Sequence, residues 1–404
     1  MIRRQRLVYI CADRGIPVGG HTGSSVHMRG LAAALARLEF DVTLLAARTG
    51  GDDLIPGVSI EPLSKESLSL RISQAIQAKG GPEKGRVFLD LVRNMELSRK
   101  LDRLHRESPT DAVLERMSLF SFAGLQFARR RNIPYLLEVN APLTDEHKRH
   151  RRMELEDFAS AIEAILLAEA DRVVAVSSAI RNYAVSCGTK PGHIAVLPNA
   201  AGETFRTVCS EPASPRCSFV VGFVGSLKPW HGLQDLLDAF RLLLKDVPEA
   251  KLLIVGDGPE RPALESKSRR TGIGDKVEWT GPVKHEEVPG LLCRMDVAVA
   301  PYPAIAGFYF SPLKIAEYMA LGRAIVASRV GQVAEILKNK KTALLYEPGD
   351  IAGLVKCFKL LHSDPRLRRE LGERARESSK DMTWGHNARV IHDLVRSAIE
   401  ELRR

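Results

Sequence analysis

Short apolar runs rich in β-branched residues alternate with amphipathic stretches along the whole chain, the pattern of parallel strands joined by crossover helices. In the first half this pattern predicts strands at 7–12, 42–47, 112–114, 135–139, 172–176 and 194–197, with helices such as 25–38 and 156–170 between them. In 25–38, Val26, Gly30, Leu31, Ala34, Leu35 and Leu38 fall on one face, and the small residues among them suit close packing on a sheet. A second series follows, with strands at 219–224, 252–255, 277–280, 297–300, 324–327 and 343–346. It ends in a helix from about 387 striped by Val390, Ile391, Leu394, Val395 and Ile399. Between the series, 207–217 carries Pro212 and Pro215 and no apolar period, so it reads as a linker. The charged stretch 65–106, broken by Gly80, Gly81 and Pro82, reads as a helical insertion outside the sheet. The expected fold class is α/β with two Rossmann-like domains: 1–206, then the linker, then 218–385, with a last helix at 386–404.

Composition narrows the functions. A chain of 404 residues with 45% hydrophobic content is too long for one ordinary core and long enough for two. The formal charge of +10 suits anionic partners. Its basic runs, Arg129 to Arg131 and Lys148, Arg149, Arg151 and Arg152, have no interleaved aromatics, which argues against nucleic acid. Either run is a solvated face or a patch for peripheral contact with an anionic membrane or a polyanionic acceptor. The six cysteines are widely spaced without metal-ligand spacing, which predicts reduced thiols and no metal site. The first apolar stretch ends at Asp13, too short for a signal peptide, and none approaches a membrane span, so a cytoplasmic protein is expected, at most peripheral at the inner membrane face.

In open parallel sheets ligands gather at the carboxyl ends of strands, so the loops there hold the candidate chemistry. The first strand leads into Gly19, Gly20 and His21 ahead of a helix, where bare amides can approach an anion or a sugar. The second half opens with Gly225, Ser226, Leu227, Lys228, Pro229, Trp230, His231 and Gly232. Lys228 offers a point charge and His231 a donor that can become cationic, both suited to a diphosphate. Gly256 and Gly258 follow the next strand and would permit close approach of a nucleotide. In 311–322, Ser311 is expected to cap a helix, Pro312 to open it and Gly322 to end it. The amides of Leu313 and Lys314 and the Lys314 charge would then cradle phosphate, and Glu317, on the same face as Leu313, could accept from ribose hydroxyls. Taken singly, each of these residues is equally readable as ordinary turn or surface.

Together they resemble the retaining glycosyltransferases of family 4, with the two-domain GT-B fold and an active site in the interdomain cleft. The likeness runs through nearly the whole chain: the Gly19 and Gly20 loop, EVNAPL at 138–143, VAVS at 174–177, Pro198 and Asn199, GSLKPWHG at 225–232, VGDGP at 255–259 and SPLKIAEYMALG at 311–322. The resemblance implies that Lys228 and His231 bind the donor pyrophosphate, that Glu317 holds the ribose, that the backbone near Gly281, Pro282 and Val283 borders the base, and that the last helix returns to the first domain. Departures accompany it. Ser226 stands where an arginine is common, His231 where a lysine is usual, Tyr309 where the first acid of the glutamate pair is expected, and Asn140 where a first-domain histidine is often found.

For that class the implied reaction is transfer from a UDP-sugar, or alternatively a GDP-sugar, to a hydroxyl of a glycan, glycolipid or small natural product. It is a front-face displacement in which the leaving phosphate oxygen takes the acceptor proton, with no obligatory metal and no cofactor beyond the nucleotide-sugar co-substrate. Lys228, His231, Asn140 and Tyr309 are the candidate catalytic positions. The alternatives are an inverting transferase or a nucleotide-sugar epimerase of the same fold, or a nucleotide-sugar-binding protein that has lost turnover.

Overall fold

The computed structural model describes residues 4–50, 55–63, 67–150, 155–207 and 218–404. In the first half the apolar runs form seven strands: β1 (Gln5–Cys11), β2 (Phe40–Ala46), β3 (Val58–Pro62), β4 (Ala112–Arg116), β5 (Tyr135–Val139), β6 (Arg172–Ala175) and β7 (Ile194–Val196). They make one sheet in the order β3-β2-β1-β4-β5-β6-β7, every pairing parallel. β1, β4, β5 and β6 are buried almost throughout, so they read in sequence as near-continuous apolar runs. β3 escapes that reading because it is a half-exposed edge strand of sequence VSIEP.

The second half gives six strands: β8 (Val220–Val224), β9 (Lys251–Val255), β10 (Val277–Trp279), β11 (Val297–Ala300), β12 (Ala324–Ser328) and β13 (Leu344–Tyr346). Their order is β10-β9-β8-β11-β12-β13, again all parallel. In each sheet the strand order reverses beside its first strand, between β1 and β4 and between β8 and β11. That reversal is where an open α/β sheet leaves a crevice at the carboxyl ends of its strands.

The chain divides into two compact units. The first holds Met1–Gly20, Ser24–Pro198 and Trp384–Arg404, and the second His21–Gly23 and Asn199–Thr383. The crossings therefore fall at 20/21, 23/24, 198/199 and 383/384, outside the proline-bearing stretch expected to separate the domains; all of that stretch except Thr207 lies outside the described residues, as do Arg151 and Arg152.

The last helix, Trp384–Leu402, belongs to the first unit through named contacts. Trp384 packs edge-on against His27 with ring centres 4.9 Å apart, Asn387 Nδ2 donates to Pro198 O at 2.9 Å, and Arg172 pairs with Glu401. Gly30 is required beneath the tryptophan, since a Cβ there would lie 2.5 Å from Trp384 Nε1.

The charged stretch 65–106 becomes a helical hairpin, Ser67–Gly80 and Pro82–Glu107. Asn94, buried on its second helix, accepts from the amides of Phe122 and Ala123 at 2.8 and 3.0 Å. It thus supplies the cap that the helix Ala123–Arg131 lacks of its own.

The basic runs are largely paired. Arg129 reaches Asp171 at 3.0 Å, Arg131 and Arg130 reach Asp102 at 2.9 and 3.5 Å, and Lys148 reaches Glu156 at 2.7 Å. The described side chains of both runs thus take part in local ion pairs. Among the described residues no helix is long and apolar enough to cross a membrane. Cys11, Cys187 and Cys357 are free thiols, whereas Cys293 is disulfide-bonded, a departure from the expectation of reduced cysteines throughout.

Candidate active site

At the carboxyl end of β8 the chain turns through Gly225, with φ +142°. Its amide donates to Val255 O at 2.9 Å, which ties it to the end of β9, and Leu227 N donates to Asp257 O at 3.0 Å. The two loops press so closely that a Cβ on Gly256 would lie 2.2 Å from Gly225 O, and one on Gly258 2.4 Å from Leu227 O. These glycines therefore admit the neighbouring loop, a reason for a bare backbone at both positions that needs no ligand. Gly232 has the same kind of role at the other side: with φ +67°, its missing Cβ would sit 1.7 Å from Pro301 O at the end of β11.

Between the ends of β8 and β11 lies the helix Leu313–Ala320. Tyr318 anchors it there, its hydroxyl accepting from Val224 N at 2.9 Å and donating to Val299 O at 3.4 Å. Ser311 does not cap this helix. Its Oγ accepts from Asn199 N at 2.8 Å and its carbonyl from Asn199 Nδ2, while Pro312 occupies the capping position without a side-chain bond. A partner 112 residues away in sequence has taken the hydroxyl that local logic assigned to the helix. Gly322, with φ +66°, ends the helix as expected, donating to Met319 O at 2.9 Å.

Lys314 stands in the first turn of this helix and points inward. Its Nζ is buried, has no hydrogen-bond partner among the described residues, and lies 3.8 Å from the centre of the Phe223 ring and 5.5 Å from that of Tyr302. A Cβ on Gly225 would lie 2.9 Å from it. Burial pulls the ammonium down to about 7, against the raising influence of Glu317 one turn on. The amides of Leu313 and Lys314, in the first turn, have no intrahelical acceptor by the geometry of any helix start.

His231 differs from the expected cation. Burial, the Lys314 charge and the Lys228 charge together push its ring down to about 3, although the Ser226 carbonyl opposes them. The ring is therefore neutral and holds its proton on Nδ1, which donates to Ser226 O, leaving Nε2 as a lone pair. Lys228 and Lys314, far apart in sequence, thus both lie close enough to act on one imidazole. Lys228 Nζ also stands 5.5 Å from the centre of the Trp230 ring. Glu317 is buried, with Oε1 accepting from His285 Nε2 at 2.6 Å. Val283 is half-buried on the loop after β10, and Tyr309 is buried with its ring 4.4 Å from that of Phe310.

In the first unit, the Gly19 and Gly20 loop is held by Arg29, whose Nη1 donates to Val18 O and Gly20 O at 2.5 and 2.6 Å. His21, which follows that loop and is counted with the second unit, is exposed. Asn140 follows β5 and donates to Glu138. Glu138 and its donors Tyr9, Arg116 and His27 were missed as a group; the available signal was ionisable residues inside otherwise apolar strand text, in YLLEV and AVLER. His285, Phe223 and Tyr302 carried no signal of their own. Among the described residues no group of three or more His, Cys, Asp or Glu is arranged to hold a metal ion.

Residues 22–200 match the family model described as glycosyl transferase 4-like domain, and residues 218–364 that described as glycosyl transferases group 1. The chain belongs to the group 1 glycosyltransferases. Among curated relatives of this family, D-inositol 3-phosphate glycosyltransferase 2 of Catenulispora acidiphila is 26% identical over 95% of this chain and 92% of that protein. Other curated relatives are matched only in part, the chain spanning 21% to 64% of their length. Two solved structures share the GT-B fold of group 1 transferases. Sucrose-phosphate synthase from Thermosynechococcus elongatus superposes with a TM-score of 0.78 at 20% identity, over 98% of this chain and all of that one. Anabaena HepE in complex with UDP-glucose gives 0.72 at 16% identity, over 97% and 99%.

Proposed function

We propose that this group 1 glycosyltransferase moves a sugar from a UDP-sugar to a hydroxyl of a glycan, glycolipid or small molecule, with retention and without an obligatory metal. The observation that carries the reading is Lys314, a buried ammonium without a hydrogen-bond partner among the described residues, at the start of a helix and at the carboxyl end of a parallel sheet. A buried unpaired cation is costly in an isolated fold, and a diphosphate is the partner that would offset that cost. As the bond to the sugar breaks, negative charge grows on the leaving phosphate, where Lys314, Lys228 and the first-turn amides would stabilise it. The leaving oxygen would take the acceptor proton, so no protein nucleophile is needed.

The UDP preference is supported by the HepE complex, a neighbour in fold that holds UDP-glucose. Glu317, fixed by His285, would accept from the ribose. A thermal-shift panel of nucleotide sugars, with and without chelator, tests the donor and the metal together. Stabilisation by UDP-sugars that survives EDTA supports the reading, and stabilisation that requires magnesium contradicts its metal-free part.

A further inference from the structure

At the carboxyl ends of β1, β4 and β5 in the first unit, one buried carboxylate gathers three hydrogen-bond donors and a histidine ring at ion-pair distance. Glu138 Oε2 accepts from Tyr9 Oη at 2.5 Å, and Oε1 faces Arg116 Nη1 at 2.8 Å, His27 Nε2 at 2.8 Å and Asn140 Nδ2 at 2.5 Å. Burial alone would raise this acid, but the charges of His27 and Arg116 and the bonds from His27 and Tyr9 hold it well below the usual carboxylate range. An ionised carboxylate only accepts, so the end of Asn140 that meets it is the amide nitrogen. The loop is fixed on its far side as well: Glu163 accepts from Leu143 N and Thr144 N at 3.1 and 3.0 Å and from Tyr183 Oη at 2.8 Å.

We infer that Glu138 is a positioning residue: it captures the Nδ2 end of Asn140 so that the Oδ1 end is presented at the strand ends as a hydrogen-bond acceptor for a substrate hydroxyl. The inference rests on the transferase reading for the identity of that hydroxyl as a sugar's. It also gives Asn140 a polarity of its own. A side chain that presents a carbonyl oxygen selects a hydroxyl that donates, and Glu138, rather than the substrate, decides which pole is offered.

The test is kinetic and spectroscopic. Release of UDP from UDP-glucose, UDP-galactose and UDP-N-acetylglucosamine is measured for wild type, Asn140→Ala, Asn140→Asp, Glu138→Gln and the Glu138→Gln/Asn140→Ala double variant. The expected result is a loss of about tenfold or more in kcat/KM for each single variant, with the double variant no worse than Asn140→Ala. Additive losses would reduce Glu138 to a structural role and overturn the inference. Asn140→Asp keeps an oxygen pole but cannot donate to Glu138, so it should fall as far as Asn140→Ala. Retention of activity by Asn140→Asp would equally overturn it, and this arm holds even where Glu138→Gln does not fold. With selective 15N-asparagine labelling, the Asn140 side-chain amide should be protected from exchange in wild type, and a fast-exchanging amide contradicts its capture. That readout needs no turnover, so a wild type that releases UDP from none of the three sugars would count against the transferase reading alone.

Discussion

Lys314 Nζ lies so close beneath Gly225 that a methyl group on that glycine would stand 2.9 Å from it. The glycine at the head of GSLKPWHG is thus a cover for an ammonium and, at φ +142°, a backbone that other residues rarely adopt. Gly225→Ala is expected to weaken UDP binding by tenfold or more, on the order of 1.4 kcal/mol, with the fold retained. Isothermal titration with UDP checks it, and unchanged affinity would mean that the glycine covers nothing that binds.

The Lys314 ammonium, at about 7 when buried and unpaired, gives the second unit a defined pH response. Its folded value is lowered below that of the unfolded chain, so between roughly 7 and 10.5 the unfolded state holds more protons and stability rises with pH. Lys314→Met should therefore raise the thermal midpoint at pH 6, by an amount that on the order of a few kcal/mol allows, and the gain should shrink toward pH 10. Equal midpoint shifts at pH 6 and pH 10 would be inconsistent with a charge buried at cost.

The same linkage governs the ligand. A diphosphate beside Lys314 favours the charged form, so binding takes up a proton above about pH 7. UDP affinity should fall by up to about tenfold per unit between pH 7 and 9, with the phosphate itself, of second pKa near 6, already ionised. In Lys314→Met that slope should disappear, and titrations across this range in wild type and variant compare the two directly.

Glu317 is held by His285 at 2.6 Å, and this pair should set donor affinity more than turnover. Glu317→Ala is expected to raise KM for the nucleotide sugar about tenfold or more, since it removes a carboxylate that would accept from the ribose hydroxyls. An unchanged KM and nucleotide Kd would reject the ribose role.

Trp384 and His27 join the last helix to the first unit. Removing the indole leaves a cavity over Gly30, so Trp384→Ala should cost about 3–5 kcal/mol in chemical denaturation. A loss below about 1 kcal/mol would show that the helix is held by Arg172, Glu401 and Asn387 without it.

Most strands were legible because a strand buried on both faces is apolar along most of its length, as β8 and β11 are throughout. β3 was not, because an edge strand with one wet side is under no such demand. The loops were legible as places but not as contacts. A glycine admits a ligand or a neighbouring backbone equally well, and only the folded chain shows that Gly225 comes close to Gly256. Ser311 carried the local signature of a cap, yet Asn199 outcompetes the helix for its hydroxyl. The Glu138 cluster was hidden for a related reason: YLLEV and AVLER show ionisable residues in apolar text, but Tyr9 lies 129 residues away and Arg116 22, so nothing local records which of them converge. Lys314 was legible as a candidate phosphate ligand, but its burial, and the neutral state that burial and the Lys314 charge give His231, follow from packing alone.

The central claim is that the buried ammonium of Lys314 exists to meet a nucleotide diphosphate. Calorimetric titration of UDP into wild type and Lys314→Met at pH 7 tests it most directly. The account predicts binding by wild type and a loss of about tenfold or more in the variant. Equal affinity in the two proteins would contradict it.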